Sequence, residues 1–97
     1  MPPVRLVIST GGTGFGPRDV TPEATRPLLE REAPGLVHAM LAFGLGKTPM
    51  AALSRYCAGT RGRALVINMP GSPKAVRECV EALRLLLPHA LALIGGE

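Results

Sequence analysis

The residues best equipped for chemistry lie in two short glycine-bearing stretches and one acidic side chain between them. Thr10-Gly11-Gly12-Thr13-Gly14 exposes several backbone N–H groups with no side chains in the way, and the Thr10 and Thr13 hydroxyls add donors. A run of amides like this can cradle a phosphate. It is neither a G-x-x-x-x-G-K-[ST] loop nor a G-x-G-x-x-G fingerprint, so by pattern alone it also suits a turn that serves only chain geometry. The second stretch, Pro70-Gly71-Ser72-Pro73, equally reads as a turn that caps its helix. Asp19 has only Arg18 as an obvious local partner and, near the start of a helix, also fits a structural role.

These residues need elements to hold them. Val4, Leu6, Val7 and Ile8 form a short apolar run stopped by Ser9-Thr10 and two glycines, which predicts a buried strand of the kind found in parallel sheets. Ala64 to Ile67 repeats the pattern and ends at Asn68-Met69-Pro70-Gly71. Each strand thus runs into a glycine-containing loop and then a helix. In a parallel sheet both loops fall at the carboxyl edge, where open α/β folds bind ligands.

Thr21 as N-cap, Pro22 in the first helical position and Glu23 against the dipole predict a helix to about Glu32, loosened by Pro27. Pro34-Gly35 opens another, in which Leu36, Val37, Met40, Leu41 and Phe43 keep helical spacing up to Gly44–Gly46. Thr48-Pro49 starts a helical turn through Leu53, and Ser54 to Cys57 reads as extended chain leading into a Gly59–Arg63 turn. Ser72-Pro73 repeats the cap-plus-proline signature before the amphipathic series Val76, Cys79, Val80, Leu83 and Leu87. Pro88 is expected to close that helix, with a short terminal one over His89 to Ile94. The order of elements is α/β.

At 97 residues the chain holds one small domain, and a core of that size is marginal alone. Its 46% hydrophobic content argues against disorder. The net charge of +4 comes mostly from nine scattered arginines, while aromatics are only 3%, too few for the stacking surfaces of RNA or single-strand readers. A phosphorylated small molecule suits the charge better than nucleic acid. Cys57 and Cys79 match no zinc spacing and no C-x-x-C motif; they read as reduced thiols, although one disulfide is open to them. His38 and His89 are lone histidines on apolar helices and read as core or rim residues. Arg61 and Arg63 lie in a turn, solvated or facing phosphate. No secretory signal and no stretch near ~20 apolar residues is visible, which predicts a cytoplasmic protein with no membrane partner.

Taken together, Thr10 through Thr25 resembles the signature of the Mog, gephyrin-G and plant Cnx-type G domains. Glu30 to Gly35, Leu53-Ser54-Arg55, Gly59 to Gly62, Ile67 to Lys74, and Glu78-Cys79 through Pro88-His89-Ala90 continue the likeness. The resemblance implies a partial Mog-like, three-layer α/β fold with a mostly parallel sheet. It also implies molybdopterin adenylyltransferase activity in molybdenum-cofactor assembly: ATP and molybdopterin give adenylyl-molybdopterin and pyrophosphate. Carried onto this chain, Thr10, Gly11, Gly12, Thr13 and Gly14 bind phosphate. Asp19 is catalytic and ligates Mg2+, since a carboxylate among phosphates finds its reason in a metal. Ser54 is catalytic in the pterin and phosphate site, and Pro70, Gly71 and Ser72 form the facing wall.

The chain departs from that family in two places. Relatives carry a further stretch before the Thr10 motif, with the first strand and a second essential Asp, so residues 1–97 are expected to be the C-terminal part of one G domain. Pro27 stands where an ordinary helix former is usual. The implied partners are molybdopterin, ATP and either copies of the chain, a trimer in the family, or a complementing N-terminal half. A noncatalytic pterin- or nucleotide-binding scaffold is the alternative.

Overall fold

The two apolar runs form adjacent strands. In the computed structural model, which describes residues 3–97, β1 (Leu6–Thr10) and β4 (Ala64–Met69) pair in parallel, from Leu6 opposite Leu65 to Thr10 opposite Met69. Two further strands, β2 (Arg31–Glu32) and β3 (Ala58–Arg61), give the order β1-β4-β3-β2. The sheet is mixed: β1–β4 is parallel, whereas β4–β3 and β3–β2 are antiparallel. Its parallel part is the pair that carries the two glycine-bearing loops. The antiparallel part follows from chain length, because only Gly62 and Arg63 separate β3 from β4 and so short a link permits only a hairpin.

Alternation along β4 divides the molecule into layers. Leu65, Ile67 and Met69 are at most 2% exposed and pack with Met40, Cys79 and Leu83. Those partners come from α2 (Pro34–Leu45) and α3 (Pro73–Leu83), and α4 (Leu87–Ile94) adds Leu87, Leu91 and Ile94 to the same core. The opposite face carries Asn68, whose side chain meets Thr25 on the short helix α1 (Thr21–Thr25). β1 is the exception to burial. Val7 and Ile8, neighbours on opposite faces, are both 42% exposed.

Several local expectations need correction. The first helix stops at Thr25 rather than Glu32; Arg26–Leu28 forms a 3₁₀ turn. Pro27 has no N–H for an α-helical bond and crowds the preceding turn, so the helix ends instead of continuing in a loosened form. Thr21 is the first helical residue, with Val20 as N-cap, because its N–H is taken by the Gly12 carbonyl at 3.0 Å. The expected Gly59–Arg63 turn is strand up to Arg61. Gly59 is there because any Cβ would strike the Arg31 carbonyl of β2, so it marks close strand packing rather than a bend. Pro88 does not close α3, which ends at Leu83; it sits in the first turn of α4, where a missing N–H costs nothing. Thr48 and Ser72 do cap their helices: each hydroxyl accepts a backbone N–H, from Met50 and Ala75.

Candidate functional site

Parallel pairing brings the ends of β1 and β4 to one level, so the two loops leave the sheet side by side. Gly11 N–H donates to the Met69 carbonyl at 2.9 Å. A Cβ on Gly71 would stand 3.5 Å from Gly11 Cα, so the loops touch through bare backbone. Pro70 is buried beneath this contact, while Gly71 and Ser72 are exposed.

Gly11 and Gly12 take φ values of +92° and +72°, a region that side chains disfavour. This reverses the chain at the strand end and carries it to α1. Thr10 is exposed, whereas Thr13 is only 5% exposed. Thr13 is therefore largely withdrawn from solvent, and Thr10 is the more available of the two hydroxyls.

Asp19 closes the loop. Its Oδ2 accepts the Gly16 N–H at 2.9 Å, and a Cβ on Gly14 or Gly16 would lie 2.9 or 2.8 Å from that oxygen. The carboxylate rests against backbone that glycine alone leaves bare. Among the described residues no three His, Cys, Asp or Glu side chains gather around a point. A divalent cation here would be held by Asp19 and by phosphate oxygens of the ligand, a donor set that suits Mg2+.

Arg55, which the sequence reading passed over, grips this loop. Its N–H donates to the Thr13 carbonyl at 2.8 Å, its Nε to the Gly14 carbonyl at 2.8 Å and its Nη2 to the Asp19 carbonyl at 2.6 Å. Nη1 and Nη2 also reach the Glu23 carboxylate at 2.6 and 3.2 Å. The guanidinium beside Glu23 holds that carboxyl below its ordinary value, and Glu23 in turn raises the Arg55 pKa. Arg18 takes no part in this set. Arg61 turns to the Leu28 carbonyl at 3.0 Å, a structural contact.

Side chains alternate along extended chain, so Ser54 and Tyr56 point away from the loop that Arg55 holds. They line a cavity of about 180 Å³ between α2, the Pro49–Leu53 turn and α3, together with Thr48, Glu78 and Cys79. Burial pushes the Tyr56 hydroxyl up to about 12, with smaller influences from adjacent Ser54 and Cys79. Burial also raises the Cys79 and Cys57 thiols, so both rest as neutral groups; both are free. Ser54 and the glycine loop are thus neighbours through Arg55 but do not share one cavity.

Asn68 was also missed. It is 1% exposed; its Nδ2 donates to Ser9 Oγ at 2.9 Å and to Thr25 Oγ1 at 3.2 Å, tying α1 to both strands, while Oδ1 is buried without a donor. An asparagine ending an apolar run was its signal in the sequence.

Fold and site together define an α/β domain with two glycine-bearing loops meeting at the carboxyl end of a parallel strand pair. Residues 3–89 match the family described as "Probable molybdopterin binding domain", and the chain belongs to that family. It is 52% identical over 94 residues to the molybdenum cofactor synthesis protein cinnamon of Drosophila melanogaster, covering 97% of this chain and 16% of that protein. It is 46% identical to the molybdopterin adenylyltransferase of Helicobacter pylori strain J99, covering 94% of this chain and 52% of the relative. The crystal structure of the molybdopterin biosynthesis enzyme MoaB from Thermus thermophilus superposes with a TM-score of 0.88 at 60% identity, over 96% of this chain and 58% of that one. The chain therefore spans little more than half of these bacterial relatives.

Proposed function

We propose that this chain supplies the nucleotide-phosphate part of a molybdopterin adenylyltransferase site. In that reaction the terminal phosphate oxygen of molybdopterin bonds to the α-phosphorus of ATP, and the bond from that phosphorus to pyrophosphate breaks. The nucleophile belongs to the substrate, so the protein's work is positioning and charge neutralisation. The Thr10–Gly14 loop takes phosphate oxygens through amides other than that of Gly11, which is bonded to the Met69 carbonyl, with Pro70–Ser72 as the facing wall. Ser54 serves the molybdopterin side. Asp19 would hold Mg2+ at the phosphates, where the ion would supply neutralisation of their charge.

The observation that carries this reading is the contact of Gly11 with Gly71, beside an Asp19 carboxylate seated against the same loop. The test is pyrophosphate release from ATP, Mg2+ and molybdopterin by the complete domain. Release that depends on Asp19 supports the assignment; its absence from the unaltered domain overturns it.

The chain acts in this reading as the C-terminal part of a cytoplasmic G domain, completed by an N-terminal half or by association with copies of itself. A second reading rests on the sparse donor set: with no three metal-ligating side chains gathered among the described residues, the chain binds molybdopterin or nucleotide without turnover. Saturable binding with no pyrophosphate formed by the complete domain would select it.

A further inference from the structure

Arg55 lies beside a loop assigned to phosphate, and the obvious role for such a guanidinium is to bind the phosphate. The hydrogen bonds point elsewhere. We propose that Arg55 is a positioning residue that holds the glycine loop in its ligand-ready shape and does not itself serve as the phosphate's counter-charge. This rests on the reading of Thr10–Gly14 as a phosphate loop.

The first argument is where its donors go. A guanidinium has five N–H bonds. Four are directed at the Gly14 carbonyl, the Asp19 carbonyl and the two Glu23 oxygens. Its charge is also matched, since the Glu23 carboxylate accepts in two-pronged fashion. A phosphate approaching this group would meet an ion pair of no net charge, with an exposed carboxylate on it.

The second argument is what those contacts do to the peptide planes. In a trans peptide the C=O and the following N–H point in opposite directions. The carbonyls of Thr13, Gly14 and Asp19 all turn toward Arg55. The amides of Gly14, Phe15 and Val20 therefore point away from it, and none has a protein acceptor among the described residues. The guanidinium collects the Gly14 and Asp19 carbonyl oxygens and the Arg55 backbone N–H collects that of Thr13, which leaves three N–H groups on the other side. No side chain but arginine has the reach and the planar fork to do this; a lysine ammonium is a single centre.

The two roles predict opposite behaviour for conservative variants. A direct ligand would tolerate Arg55→Lys, which keeps the cation, and Glu23→Gln would tighten binding by removing a like charge. A positioning residue would suffer from both, because the lysine cannot bridge the carbonyls and the glutamine removes one of the two acceptors, and the charge, that hold the guanidinium in place. Backbone ¹⁵N relaxation without ligand reads the loop directly. Order parameters at Phe15 and Val20 should be about 0.85 in the unaltered chain and below about 0.6 in Arg55→Lys, with α3 unchanged. ATP affinity measured with Mg2+ should fall about tenfold or more in Arg55→Lys, as far as in Arg55→Ala, and should also fall in Glu23→Gln.

A loop that stays ordered in Arg55→Lys, or a Glu23→Gln variant that binds ATP more tightly, overturns the proposal. If the unaltered chain binds no ATP, the phosphate reading fails instead, and relaxation alone decides whether Arg55 holds the loop.

Discussion

At the scale of single residues, Asp19 has a structural contact and a proposed role at the phosphates that one substitution can confuse. Its Oδ2 braces the loop through Gly16 N–H, so Asp19→Ala removes both the charge and a structural contact. Asp19→Asn keeps a carbonyl oxygen for that bond and removes only the charge. We expect it to lower adenylyl transfer at least about hundredfold in the complete domain, with the loop's amide spectrum little changed. Turnover near the unaltered rate, measured as pyrophosphate release, would take Asp19 out of the chemistry. Ser54→Ala should weaken molybdopterin handling by about 1.5–3 kcal/mol, the usual cost of a lost hydrogen bond to a charged group, and leave ATP binding alone. Equal affinities for molybdopterin would place Ser54 outside the site. Tyr56 offers a cleaner measurement, since it is the chain's single tyrosine and tryptophan is absent. Absorbance at the tyrosinate band should rise near pH 12 rather than 10. Because the folded value is the higher one, the stability linked to Tyr56 is fully present below pH 10 and fades as pH climbs toward 12. Asp19 and both glycine stretches were legible in the sequence because each is a local pattern. Arg55 and Asn68 were not, because their partners lie up to 41 and 59 residues away.

At the scale of elements, prolines and glycines explain both what was legible and what was not. Pro34, Pro49 and Pro73 mark helix starts as expected, each at the first position, where a missing N–H is harmless. Pro27 and Pro88 misled because a proline in an apolar stretch can end one helix or begin the next, and only tertiary packing decides. β2 and β3 escaped for a related reason. β2 is two residues long, and β3 contains Gly59, whose requirement comes from the neighbouring strand. A comparison of two glycines tests how far the loop's shape is built into its backbone. Gly12 and Gly62 both have positive φ, but a Cβ on Gly12 would run into Thr21, whereas one on Gly62 meets nothing within 4 Å. Gly62→Ala should cost about 1 kcal/mol of backbone strain. Gly12→Ala should cost about 2–4 kcal/mol and detach the loop from α1. Thermal melts resolve the two, since about 1 kcal/mol moves the midpoint roughly 4–8 °C in a domain of this size. Equal shifts would show that the Gly12–Thr21 contact yields easily.

At the scale of the whole molecule, β1 is the element least provided for. It carries one wall of the proposed site, yet among the described residues it pairs on one edge only, and Val7 and Ile8 present apolar surface on both of its faces. An open edge and uncovered apolar side chains invite another strand or surface. The 97-residue chain also has a high ratio of surface to interior for its size. We therefore expect the isolated chain to associate, since symmetric contacts between copies cover such surface without new sequence. Sedimentation should find a species well above the monomer mass of 10.1 kDa. Val7→Lys, on one of the two exposed faces of β1, should shift that species toward smaller mass if that face lies in the contact. The same chain should form no adenylyl-molybdopterin from ATP and molybdopterin, because among the described residues no three metal-ligating side chains gather, Glu23 is committed to Arg55, and Asp19 alone gives the metal few protein ligands. A well-folded monomer would refute the expectation drawn from β1. Product formed by this chain alone would refute the other, and would mean that the two loops and Asp19 suffice for transfer.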